Sequence, residues 1–188
     1  MSEEGFEVHG PHDHALEHPD HGASSTNQIA MFTAIIATVG ALFGYMGGAT
    51  QANAGLYKNN AAIKKTEAAN QWNYYQSKST KQNLSELSMV VAPARKDVYA
   101  AEVERYKTEK GEIKKKAEEL EAQSSEWDHQ SDEEMHQHHR WAQATTVLQI
   151  SIALAAIALL TRKDWLKKGM YVVSAAGLFL GCLAALHI

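Results

Sequence analysis

Three stretches of the chain are almost purely apolar, and the segments between them are polar. The first runs from Gln28 to Gly48, the second from Trp141 to Thr161 and the third from Gly169 to Ile188. No Asp, Glu, Lys or Arg interrupts the sequence between Asp20 and Lys58, between Arg140 and Arg162, or after Lys168. Each stretch is about 20 residues, roughly 30 Å as helix, which matches the hydrocarbon thickness of a bilayer. A helix at the edge of a soluble core carries a polar stripe, and these carry almost none. The pattern predicts three transmembrane helices at 28–48, 141–161 and 169–188. The segment before the first has six acidic residues and no Lys or Arg. It lacks the basic start of a cleavable signal peptide, so the first stretch reads as a retained span.

Between the first and second spans lies a long polar excursion, 49–140, rich in Ala, Lys, Glu and Gln. Its one proline is Pro93, near the middle. Proline cannot continue a helical hydrogen-bond ladder and disfavours helix in the residue before it. Two arms joined near 93 predict an antiparallel helical hairpin, coiled-coil-like in its spacing. In the second arm Tyr99, Tyr106, Ile113, Leu120 and Trp127 recur every seven residues, with Val103, Lys110, Ala117, Ser124 and Ser131 as companions. The first arm offers Leu56, Ile63, Asn70, Ser77, Leu84 and Val91 at the same interval, the expected answering seam, with a neighbouring row at Ala54, Ala61, Ala68 and Tyr75. A polar residue such as Asn70 in a seam costs stability and fixes register. Gly55 and Gly111 are candidate bends.

The expected fold is therefore all-α: three transmembrane helices with a long antiparallel helical hairpin between the first and second spans. A tail at 1–27 reads as disordered, and 162–168 as a basic loop. Within the spans, Gly40, Gly44 and Gly48, and then Gly177, Gly181 and Ala185, are small residues four apart. Such spacing lets helix backbones approach closely, within one chain or between copies. Tyr45, Trp141, Trp165 and Tyr171 are candidate interface aromatics.

The stretch from Lys64 to Gln82, KKTEAANQWNYYQSKSTKQ, is distinctive. So are Glu7-Val8-His9-Gly10-Pro11-His12 near the start and His136-Gln137-His138-His139-Arg140-Trp141 before the second span. Together they resemble a bacterial membrane-protein family of unknown function, DUF4337, along essentially the whole chain. The resemblance implies a three-span inner-membrane protein with a helical excursion, and it brings no activity, cofactor or catalytic residue. Read physically, Asn70, Asn73, Ser77 and Thr80 share one helical face, with Trp72 and Tyr75 on another. Asn70, Trp72, Asn73, Tyr74, Tyr75 and Ser77 are candidates either for fixing hairpin register or for docking a partner, since Trp and Tyr are frequent interface anchors.

Ten histidines fall mainly in two groups. His9, His12, His14, His18 and His21 lie in the tail. His129, His136, His138 and His139 precede the second span, among Asp128, Asp132, Glu133 and Glu134. Helical spacing makes His129, Asp132, Glu133, His136 and His139 candidate ligands for a divalent metal. No other cofactor is suggested.

Charge and composition narrow the function. A net charge of −4 gives nucleic acid no electrostatic footprint. The single Cys182 rules out a disulfide framework or a cysteine-based zinc site within one chain. No P-loop, nucleophile elbow, dinucleotide fingerprint or HExxH motif is present, so no enzyme is expected. No charged residue lies within a span to mark an ion path, although Gln143, Thr145, Thr146, Gln149 and Ser151 could line an oligomeric pore. Four basic residues at 162–168 favour the cytoplasmic side for that loop and the tail, with the hairpin in the periplasm. The expected partners are the bilayer, a second copy and an unidentified protein. The expected function is a membrane-anchored, non-enzymatic helical scaffold that self-associates or docks a partner through the hairpin.

Overall fold

A computed structural model describes residues 21–187, with side chains from Thr26 onward. The described chain is helical almost throughout. Helix α1 spans His21–Val91, a 3-10 turn spans Pro93–Arg95, helix α2 spans Lys96–Thr161 and helix α3 spans Asp164–Ala185. There is no strand among the described residues. Between Gly22 and Ala92 the sequence contains no proline and many alanines, so nothing stops the ladder of α1 until Pro93. Helices α1 and α2 continue without interruption through Gly55 and Gly111, so neither glycine ends a helix. The chain reverses over Ala92 and the turn, where Arg95 N–H donates to the Ala92 carbonyl at 3.0 Å.

Two boundaries differ from the sequence expectation. Helix α1 begins at His21, inside the segment expected to be disordered; His9, His12, His14 and His18 lie outside the described residues. The expected loop at 162–168 contracts to Arg162 and Lys163, because α3 starts at Asp164. Asp164 sits in the first turn, where a negative charge complements the helix dipole, and Lys167 Nζ pairs with its Oδ1 at 3.2 Å. Arg162 takes φ 53°, the left-handed conformation that commonly ends a helix.

The chain divides into two compact units, Met1–Gly47 with His139–Ile188, and Gly48–His138. In the first, three helical segments pack through single faces. Ile29, Ile36 and Gly40 of α1 are buried, as are Trp141, Ala144, Leu148, Ser151, Ala155 and Ala158 of α2 and Met170, Ser174, Gly177, Gly181 and Ala184 of α3. In α2 and α3 these recur at three- and four-residue steps, and in α1 at steps of seven and four, the spacing of one helical face. Phe32 meets Tyr171 edge-on with ring centroids 4.7 Å apart. The opposite faces are apolar but exposed: Leu42, Leu160, Val172 and Phe179 are all more than half accessible. The three helices are each long and apolar enough to cross a membrane.

Threonines in this unit satisfy their hydroxyls on their own helices. Thr33, Thr38, Thr145, Thr146 and Thr161 each donate to the carbonyl four residues back, at 2.7–2.9 Å. Each hydroxyl is thereby satisfied within its own helix.

Candidate functional site

The second unit is an antiparallel pair of arms. Its inner seam is asymmetric: α1 buries a row of alanines, and α2 buries large residues interspersed with small ones. Ala54, Ala61 and Ala68 of α1 are buried, as are Val103, Ile113, Ala117 and Leu120 of α2. Tyr57 packs on Trp127 with ring centroids 5.5 Å apart. The alanines bring the backbones close enough for side-chain bonds to the main chain. Ser124 Oγ donates to the Ala61 carbonyl at 2.9 Å, and Ser131 Oγ to the Ala54 carbonyl at 2.9 Å. Nearer the turn, Ser85 Oγ donates to Glu102 Oε2 at 3.0 Å. These pairs stand at nearly equal chain distance either side of Ala92, which defines one register.

This seam corrects the sequence expectation for α1. Leu56, Ile63, Asn70, Ser77, Leu84 and Val91, expected to answer α2, all face outward and are exposed. The neighbouring row Ala54, Ala61, Ala68 and Tyr75 lies inside instead. Large knobs from Ile113, Leu120 and Trp127 already fill the space between the arms, so the facing row must be small. The second-arm seam lies where the spacing put it, with Tyr99, Tyr106 and Trp127 half-buried and Ile113 and Leu120 buried.

The distinctive motif is split by the same geometry. Trp72 and Tyr75 turn toward α2. Trp72 Nε1 donates to Glu121 Oε1 at 2.8 Å, and the Trp72 and Tyr75 rings meet edge-on at 5.7 Å. Lys110 Nζ lies 5.0 Å from the Tyr75 ring centre and donates to Gln82 Oε1 at 3.1 Å. Asn70, Asn73 and Ser77 turn outward, and Tyr74 is half exposed beneath Lys78. Asn70 therefore fixes no register inside the hairpin. Ser124, Ser131 and the cross-arm ion pairs instead tie the two arms together.

Those ion pairs are Lys78 with Glu109 and Lys58 with Asp128. Lys78 is well covered, and it also lies 5.6 Å from the Tyr106 ring centre. The bonded Lys78 ammonium holds the Glu109 carboxyl below its ordinary value of 4.5, and Arg105 and Lys81 act in the same direction. Reciprocally, the Glu109 bond, and after it Tyr74, raise Lys78 above 10.5. The signs set a window. The depressed carboxyl stabilises the folded arms fully above 4.5, and that share is lost as pH falls through its lowered value. The raised ammonium stabilises them fully below 10.5, and that share is lost as pH rises through its higher value. Thermal melts of the full chain in detergent, followed by circular dichroism across pH, are expected to show a plateau between these limits. Glu109→Gln is expected to lower the plateau and flatten both limbs; unchanged limbs would show that this pair is not their source.

Alanines also leave an open groove of about 600 Å³ along one side of the seam. Lys58, Ala61, Ala62, Lys65, Trp72, Glu121 and Asp128 are among its lining residues. Trp72–Glu121 and Lys58–Asp128 bridge it from arm to arm.

The histidine set is placed along α2. His129 Nδ1 lies 3.5 Å from Glu133 Oε1. His129, Asp132, Glu133, His136 and His139 are all exposed. Among the described residues, no three His, Cys, Asp or Glu side chains are grouped to hold a metal ion.

The small residues expected at helix contacts behave differently from one another. A Cβ on Gly177 would meet Leu148, including its backbone nitrogen at 3.2 Å, and one on Gly181 would overlap the Phe43 ring. Gly40 lies 3.8 Å from the Leu148 side chain by the same measure, whereas Gly44 and Gly48 face open space. Ala185 is exposed. Trp141, expected at an interface, is buried against Phe43 with ring centroids 5.2 Å apart. Ser151, weighed as a pore residue, is buried between α2 and α3, where its Oγ donates to the Met170 carbonyl at 3.0 Å and bonds Ser174 Oγ. With Thr145 and Thr146 bonded to their own helix, Gln143 and Gln149 are the two exposed amides left from that set.

Comparison with curated proteins and with solved structures gives no match. The model of one family, described as a domain of unknown function (DUF4337), matches residues 25–187, which takes in all three helices. The chain belongs to the DUF4337 family.

Proposed function

We propose that this protein is a membrane-anchored, non-enzymatic helical scaffold, which holds a second copy or another protein through its hairpin unit. The reading is supported chiefly by one contrast. The first unit exposes Leu42, Leu160, Val172 and Phe179 on faces without a charge, a surface suited to lipid. The second unit carries cross-arm ion pairs and polar surface suited to water. By the charge of its short connection, we place the tail and residues 162–163 in the cytoplasm and the hairpin in the periplasm of a bacterial inner membrane. The polar arms of the second unit supply binding surface.

Amine-reactive crosslinking in native membranes, followed by mass spectrometry, tests this. The expected result is a covalent adduct through lysines of the hairpin, to another copy or to one recurring protein. Monomer alone, or recovery of the protein in the aqueous fraction without detergent, would overturn the proposal.

A further inference from the structure

The row that faces outward on α1 is the least expected feature of the hairpin. Leu56, Ile63, Asn70, Ser77, Leu84 and Val91 stand seven residues apart, as regularly as the inner seam does. The two rows next to it on one side, starting at Asn59 and then Gly55, keep the same interval, whereas the row on its other side, starting at Asn60, carries Glu67 and Lys81. From Gly55 to Val91 these three rows contain no Asp, Glu, Lys or Arg, and every residue in them is exposed. Helix α2 shows what an ordinary water-facing surface looks like here: Glu104, Lys107, Glu112, Lys115 and Glu119 are exposed and charged. An exposed face kept free of charge over ten turns, with aliphatic residues at both ends and amides between, has the composition of a buried coiled-coil seam.

We infer that this face of α1 pairs with the same face of a second copy, parallel and in register, with Asn70 opposite Asn70. The inference rests on the scaffold reading above and names the occupant of its docking face. Charge selects the partner. An uncharged strip offers no complement to an acidic or basic protein, whereas it meets its own copy without like-charge repulsion. Register selects the alignment. Like positions match in a parallel pair, Leu56 with Leu56, Ile63 with Ile63 and the Asn70 amides with each other. A slip of one heptad would set Asn70 against Ile63 and bury an amide unpaired. Copies anchored in one bilayer already run in the same direction.

Area sets the strength. From Gly55 to Val91 a helix rises about 55 Å, and a strip about 10 Å wide covers roughly 550 Å² on each copy. The total of about 1,100 Å² falls just under the range of stable soluble complexes. Pairing of this size is weak between free molecules and is favoured when anchoring in one membrane raises the effective concentration.

The full chain in its native membranes is therefore the material to test. In a Cys182→Ser background, Ser77→Cys and Leu84→Cys place thiols on the face, and Glu119→Cys places one on the far side of the hairpin. Mild oxidation is expected to give disulfide-linked homodimer at the first two and not at the third. Homodimer at Glu119→Cys alone, or equal yields at all three, would overturn this face while leaving self-association standing. Adducts of the face with a different protein would overturn the second copy as occupant while leaving the scaffold reading intact. Monomer throughout would remove both.

A second measurement reads register. Asn70→Glu with Ser77→Glu, in nanodiscs, is expected to lower the dimer-to-monomer ratio more than about tenfold with helicity unchanged. Mixing with a chain carrying Asn70→Lys and Ser77→Lys is expected to restore dimer. Failure of the mixture to do so would overturn the parallel in-register pairing.

Discussion

Ala61→Leu is expected to destabilise the hairpin unit by about 3 kcal/mol, among the largest effects available to a single substitution there. Three added carbons enter a site that is 5% exposed and faces Ser124. Overpacking of this kind costs about 1–3 kcal/mol. Forcing the backbones apart also breaks the Ser124 bond to the Ala61 carbonyl, at about 1 kcal/mol. Thermal melting of the full chain, read by circular dichroism, should show the loss. Ile63→Ala, two residues away on the exposed row, should change the melt by less than about 0.5 kcal/mol. Greater destabilisation of the monomer by Ile63→Ala than by Ala61→Leu would show that the alanine row is not the inner seam.

In the first unit the corresponding position is Gly177. Gly177→Val is expected to cost about 3 kcal/mol or more, measured by denaturation in mixed detergent micelles. The new side chain runs into the Leu148 side chain and its backbone nitrogen, and Leu148 is fully buried. A backbone atom cannot turn aside as a rotamer can, so α2 and α3 must separate and strain the Ser151–Ser174 bond between them. Gly44→Ala is the matched control. Its Cβ meets nothing within 4 Å, and alanine is the better helix former by about 1 kcal/mol. Monomer stability should hold or rise. Equal loss at both positions would show that Gly177 does not seat Leu148.

Much of this architecture was legible in the sequence, for reasons that can be named. A stretch of about 20 residues without charge has few structural solutions, so the three apolar helices follow from spacing alone. One proline in a long run of helix formers fixes the reversal at Ala92. The α2 seam was legible because only one of its heptad rows is bulky. The α1 seam was not. Two rows share the seven-residue interval, and hydrophobicity favours Leu56, Ile63 and Leu84 over Ala54, Ala61 and Ala68. The choice is made by volume: with Ile113, Leu120 and Trp127 filling the gap, only the alanine row lets the serines reach the main chain. The residues 162–168 misled for a different reason. Basic side chains suggested a loop, but lysines extend flexible stems, and Lys167 and Lys168 sit on a helix that buries Leu166. The proposed docking face was visible as a pattern and misplaced as a contact, since periodicity says which residues share a face and not which face is covered.

The serine bonds to alanine carbonyls carry a last consequence. Ala54, Ala61 and Ala68 repeat every seven residues, and so do Ser124 and Ser131. A hydroxyl that has lost one carbonyl finds an equivalent one seven residues along, about 10 Å away. The ladder is thus degenerate, like a vernier with identical graduations, and cannot by itself choose where the arms stop. The choice belongs to the tight reversal at Ala92 to Arg95, since sliding one arm by a notch would require unwinding several residues there. Seven residues spliced in beside Pro93 would free the ladder to click over.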